Sequence, residues 1–179
     1  MRVVESDLSG VLAFHPQVHR DDRGFFTRTW DRAVAEAVGL PEFVQDSQSR
    51  SEHAVIRGLH LRSGPGEAKL VRCARGRIWD VVVDLRPGSP TFLQWRSFEL
   101  DDVDHVSLYI PAGMGHGWQA LSELADVCYR IDAEHDPRCD VTVAFDDPGL
   151  AVPWPLPASV TSERDRHGIS LHELLGLLG

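Results

Sequence analysis

Residues 69–131, KLVRCARGRIWDVVVDLRPGSPTFLQWRSFELDDVDHVSLYIPAGMGHGWQALSELADVCYRI, decide the fold. Short stretches rich in β-branched and aromatic residues fall at 69–75, 78–85, 92–100, 105–110, 117–121 and 125–131, and 141–145 (VTVAF) adds another. Turn formers punctuate them: ARG, RPGSP, PAGMG, then HDPR and DDPG further on. Many short strands at close spacing predict a mainly β jelly-roll barrel or sandwich with short peripheral helices. A doubly wound α/β fold needs long helical patterns between strands, and residues 55–145 hold none.

Outward from this block, Val11–Phe14 and Phe25–Trp30 read as further strands that could extend a partner's sheet. Residues 31–38 (DRAVAEAV) predict a helix with Asp31 as N-cap and Gly39 as stop. Residues 170–178 predict a second, with Ser170 and Glu173 as a capping box. Residues 148–157 (PGLAVPWPLP) cannot be a central strand, because proline lacks a ladder donor. That stretch is expected to run extended over the barrel exterior and return the tetrad 162–165, SERD, to the barrel mouth. No repeat or linker interrupts the chain, so residues 1–179 are read as one domain.

Composition narrows the function. The chain has 179 residues, and 18 basic against 27 acidic ones give a formal charge of -9, which disfavours a nucleic-acid partner. No apolar run has the length of a membrane span, and MRVVESDLSG has no hydrophobic signal core. Cys73, Cys128 and Cys139 form an odd, scattered set, as expected of a reduced cytoplasm.

Nine histidines invite a search for acid–base or metal chemistry. His15, His19, His53, His105 and His167 are read as structural. His60 differs: Leu59 and Leu61 face one way on a strand, so His60 faces the other. His116 lies in PAGMGHGW, whose Pro-x-Gly-x-x-His spacing resembles the second cupin motif. The first cupin motif in its metal form is His-x-His followed by Glu; here that frame reads His60, Leu61, Arg62 and Glu67. Arginine has no lone pair for a cation, so the expectation from this frame is no metal. A metal-dependent enzyme using His60, Glu67 and His116 is the rival.

The segments DDRGFF (21–26), VQDS (44–47), RGLH (57–60), KLVRCARG (69–76), VDLRPGSPTFLQW (83–95), IPAGMGHGW (110–118), DDPGLAVPWP (146–155) and SERD together resemble the dTDP-4-dehydrorhamnose 3,5-epimerase family, in order and in spacing from about residue 10 to 165. The resemblance implies a cupin-type jelly roll, a homodimer, no metal, and a dTDP-4-keto-6-deoxyhexose substrate inverted at carbon 3, carbon 5 or both through an enolate. It makes His60 the base, Asp165 its carboxylate partner, Tyr129 the acid and Lys69 the charge beside the enolate oxygen. Arg23 and Arg57 would hold the pyrophosphate; Gln45, His116 and Arg164 would contact substrate; and Asp80 would support Lys69. The chain departs from the family's pattern at Arg28, Ser47, His135 and Asp140, where Glu, Asn, Tyr and Glu are usual. With the catalytic set intact, those changes imply altered regiochemistry, sugar or nucleotide. A different isomerisation or a dehydration of a related ketosugar, and a non-catalytic sugar-nucleotide binding module, are the other readings.

Overall fold

The computed structural model describes residues 1–178. Its strands are β1 (Arg2–Glu5), β2 (Leu12–His15), β3 (Val18–Asp21), β4 (Gly24–Thr27), β5 (Gln45–Glu52), β6 (Ile56–Arg62), β7 (Lys69–Arg75), β8 (Arg77–Asp84), β9 (Trp95–Asp101), β10 (Ser107–Ile110), β11 (Met114–Ala120), β12 (Leu124–Ile131) and β13 (Asp140–Thr142). Helices are α1 (Arg32–Ala37), α2 (Glu163–Arg166) and α3 (Leu171–Leu178). A six-stranded sheet runs β1-β2-β10-β7-β12-β5 and a five-stranded sheet β13-β6-β11-β8-β9, while β3 and β4 pair as a separate hairpin. This is a cupin-type jelly roll. No helix among the described residues is long and apolar enough to cross a membrane.

The pattern of β8 explains how the two sheets are sealed. Ile78 and Val82 face the other sheet and pack with Val71, Leu108, Trp118 and Val127. Val81, Val83 and Leu85 face outward, against Leu150, Val152, Leu171 and Leu174. A strand covered on both faces reads as an unbroken apolar run, as Val81, Val82 and Val83 do. The proline-rich stretch does lie over the barrel exterior, anchored where Trp154 Nε1 donates to Phe145 O at 2.8 Å and its ring meets Trp79 edge-on. Both predicted caps form: Asp31 accepts from Ala33 N, and Ser170 and Glu173 bond reciprocally.

Among the elements that depart from expectation, three bear on the site and on the sheet edges. The strand β11 starts at Met114 rather than 117, because Gly115 lies within the strand, where the Leu85 side chain presses close, and not in a turn. Residues 45–52, QDSQSRSE, form the long strand β5 without an apolar face, and all but Ser51 stay exposed or half-buried instead of entering the core. β2 pairs with β10 of its own chain, so the Val11–Phe14 segment completes this chain's own sheet instead of a partner's.

Gly58 fixes the approach of β6 to β11. Its φ is +132°, and a Cβ there would sit 2.5 Å from Gly117 Cα and 2.9 Å from His116 O. Both obstacles are backbone, so neither can swing away. Gly58→Ala is expected to cost about 3 kcal/mol, roughly a 6–12 °C drop in melting temperature for a chain this size. Thermal unfolding checks it; a variant melting with the parent would remove the close-approach argument.

Candidate active site

Alternation on β6 sends Leu59 and Leu61 into the outer cluster and turns His60 to the inner face. His116 is its antiparallel cross-strand partner on β11, so the two imidazoles share that face. The proline-rich stretch carries the chain round to α2, whose N-cap Ser162 accepts from Asp165 N at 3.1 Å. That short turn aims Asp165 at the strand, and His60 Nε2 donates to Asp165 Oδ1 at 2.6 Å.

Burial pushes the Asp165 carboxyl up, but the hydrogen bond and charge of His60, with the Ser162 hydroxyl and Arg164, bring it below its ordinary value. Asp165 is therefore an anion at neutral pH and only accepts. The proton must lie on Nε2, which leaves the lone pair on Nδ1. A half-buried imidazole with a fixed tautomer and a carboxylate behind it is built to take a proton.

Tyr129 stands on the opposite wall. It belongs to β12 of the six-stranded sheet and packs against the core between the sheets. Its oxygen accepts from Trp118 Nε1 at 2.7 Å and lies 3.2 Å from Ser49 Oγ. Burial pushes the phenol up to about 12, so it keeps its proton throughout the neutral range. The His116 ring approaches edge-on, with centroids 6.4 Å apart. His116 Nε2 in turn donates to Asp80 Oδ2 at 2.8 Å, Asp80 being 0% and His116 4% exposed. Asp80 therefore supports His116, not Lys69. The reason is register: Asp80 pairs with Trp118 on β11, two residues from His116 on the same face.

Lys69 lies on the inner face of β7, in step with the core residues Val71 and Cys73, and its ammonium pairs with Glu67 at 3.1 Å. Gln45, Ser47 and Ser49 alternate along β5, with Ser47 opposite Tyr129 in register. Arg57 is held by Ser51 Oγ at 2.9 Å and lies 5.9 Å over the Trp118 ring. Arg164 bonds Thr142 Oγ1 at 2.6 Å and Asp140 Oδ2 at 3.1 Å, and Thr142 pairs with His60 in register. His135 is exposed in the loop before Pro137.

Two predicted residues stand apart from this group. Arg23 is paired with Asp21 on the β3–β4 hairpin, its side chain 90% exposed. Arg28 is paired with Asp31, the α1 cap, at 2.9 Å. Among the described residues, no three His, Cys, Asp or Glu side chains form a cluster able to hold a metal. The members of the metal frame have other partners: His60 has Asp165, His116 has Asp80, and Glu67 has Arg62 and Lys69.

The sequence reading missed Ser49 and Trp118, the two groups that hold the Tyr129 oxygen. Ser49 had a signal in the period-two serines 47, 49 and 51. Trp118, two residues after His116 on a strand, had one in the alternation rule.

A cupin-type barrel with a histidine–carboxylate pair on one wall and a protonated phenol on the other has the form of a proton-transferring isomerase. The family model described as dTDP-4-dehydrorhamnose 3,5-epimerase matches residues 5–173, and the chain belongs to that family. The dTDP-4-dehydrorhamnose 3,5-epimerase of Pseudomonas aeruginosa is 42% identical over 94% of each chain. The dTDP-4-dehydrorhamnose 3-epimerase of Streptomyces niveus is 40% identical over 97% of this chain and 85% of its own. Among solved structures, NovW, a 4-keto-6-deoxy sugar epimerase from the novobiocin biosynthetic gene cluster of Streptomyces spheroides, superposes with a TM-score of 0.94 at 38% identity, covering 99% of this chain and 90% of that one.

Proposed function

We propose that the protein epimerises a dTDP-4-keto-6-deoxyhexose at carbon 3, carbon 5 or both, in deoxysugar biosynthesis. The observation that carries this reading is the placement of His60 and Tyr129 on facing sheets. Inversion next to a ketone needs a proton removed from one face and another delivered to the opposite face. His60 Nδ1 takes the α-hydrogen, and the electron pair moves onto the carbonyl oxygen as an enolate. Lys69 meets that developing charge with its ammonium. Tyr129 returns a proton to the other face, and solvent restores both groups.

Gln45, Ser47, Arg57, His116, His135, Asp140 and Arg164 are the substrate contacts of this scheme. The reaction uses no metal or cofactor, and the whole chain works as one domain in the cytoplasm. Arg23 and Arg28 enter through a homodimer, in which one hairpin reaches the neighbouring cleft. The 52% and 67% exposure of Phe25 and Phe26 on that hairpin supports a protein contact there.

Proton NMR of dTDP-4-keto-6-deoxyglucose with the enzyme in deuterated water tests the proposal. Deuterium at carbon 3 alone is the result for a 3-epimerase, and at carbons 3 and 5 for the double epimerase. Exchange at neither carbon overturns the reading, and a product of altered mass means dehydration instead.

A further inference from the structure

The cupin frame His60, Arg62, Glu67, His116 leaves two residues that the scheme above does not use. Arg62 and Glu67 are both withdrawn from solvent, their side chains 6% and 11% exposed. Glu67 uses its two oxygens separately: Oε2 accepts from Arg62 Nη1 at 2.9 Å, and Oε1 lies 3.1 Å from Lys69 Nζ. Arg62 is itself locked, donating to Glu134 O and Asp136 O at 2.8 Å each, while Asp140, 3.7 Å from its Nε, is matched by Arg164 at 3.1 Å. Where the metal form of the motif holds a cation between carboxylate and imidazole, this chain holds a carboxylate between two fixed organic cations.

We infer that Glu67 is a positioning residue that holds the Lys69 ammonium in place for the enolate oxygen, with Arg62 keeping the trio's net charge positive. This rests on the role proposed for Lys69. A lysine has four rotatable carbons and strong hydration, so a lone ammonium in a cleft samples many positions. One carboxylate oxygen restricts it while satisfying only part of its three donors. A carboxylate facing Lys69 alone would cancel the charge that the oxyanion needs. Arg62 offsets that negative charge from the far side, and the backbone carbonyls keep its guanidinium from swinging toward Lys69. Removing a buried bridge of this kind leaves two cations facing each other, which drives the mobile one away.

The test is a double-mutant cycle of wild type, Glu67→Gln, Lys69→Met and the double variant, with kcat and KM for α-hydrogen exchange on dTDP-4-keto-6-deoxyglucose in deuterated water. Glu67→Gln is expected to lower kcat about 10–30-fold with KM within about twofold, since the interaction strengthens as charge develops. Lys69→Met is expected to cost about 100-fold, and the double variant no more than Lys69→Met alone. Effects that multiply, or a raised KM at unchanged kcat, overturn the positioning role. An unchanged kcat in Lys69→Met overturns the reading of Lys69 itself and takes the Glu67 proposal with it. Glu67→Asp is the second variant should Glu67→Gln fail to fold. It keeps the charge Arg62 needs and draws the carboxylate back by one methylene. A fall of about fivefold or more in kcat supports the proposal, and wild-type kcat overturns it.

Discussion

His60→Ala is expected to lower exchange of the substrate α-hydrogens with deuterated water by about 10³–10⁴-fold while the fold is retained. Retention follows from position: His60 lines the cleft, and the neighbours that anchor β6, Leu59 and Leu61, are in the outer cluster. Removing the base leaves only water to take the proton, at a site arranged for an imidazole. Asp165→Asn is the companion variant. It keeps a side chain of the same shape 2.6 Å from Nε2 but loses the charge that steadies the imidazolium and fixes its tautomer. A fall of about 10²–10³-fold in exchange is expected, with KM little changed. The pH dependence has a definite sign. Asp165 is held below its ordinary carboxylate value, so its interaction with His60 is fully present above that value. It is lost only as pH falls below the ordinary carboxylate range. Exchange by His60→Ala at the wild-type rate would remove His60 from the role of base.

Tyr129→Phe is the second large effect, and its signature is qualitative. With the base intact and the acid gone, abstraction continues, but the opposite face has no donor. The substrate is then expected to gain deuterium with its configuration retained, and net inversion to fall about 10²–10³-fold. Because burial pushes the phenol up to about 12, the wild-type acid stays protonated across the working range. Loss of inversion from ionisation of Tyr129 is therefore expected only as pH climbs toward that value. Comparing deuterium incorporation with epimer formation in one NMR series separates the two groups. Parallel loss of exchange and inversion would mean that Tyr129 acts before or during proton abstraction, not after it.

Most of the barrel was legible in the sequence, for a physical reason. The strands β7, β8, β10 and β12 are buried on at least one face, and burial writes itself as β-branched and aromatic periodicity. Where a strand stays exposed or half-buried, that pressure is absent. β5 carries serine and glutamine along its length and resembles a loop until its ladder with β12 is seen. Gly115 of β11 misleads in the same way: within PAGMG it suggests a turn, and only the nearness of Leu85 shows why a side chain does not fit there.

The site divides along the same line. The sequence by itself determined the chemical inventory: a histidine on the polar side of an alternating strand, a glycine-rich approach to a second histidine, and an arginine in the frame of a metal ligand. These are local facts, set by residue type and by the two-residue repeat of a strand. The family resemblance implied the pairing of His60 with Asp165, but only the tertiary structure gives it a physical cause and decides the other partnerships. His60 and Asp165 are 105 residues apart in sequence and meet because a proline-rich strap crosses the barrel. Asp80 meets His116 because strand register, which no single strand encodes, chooses which side chains become neighbours.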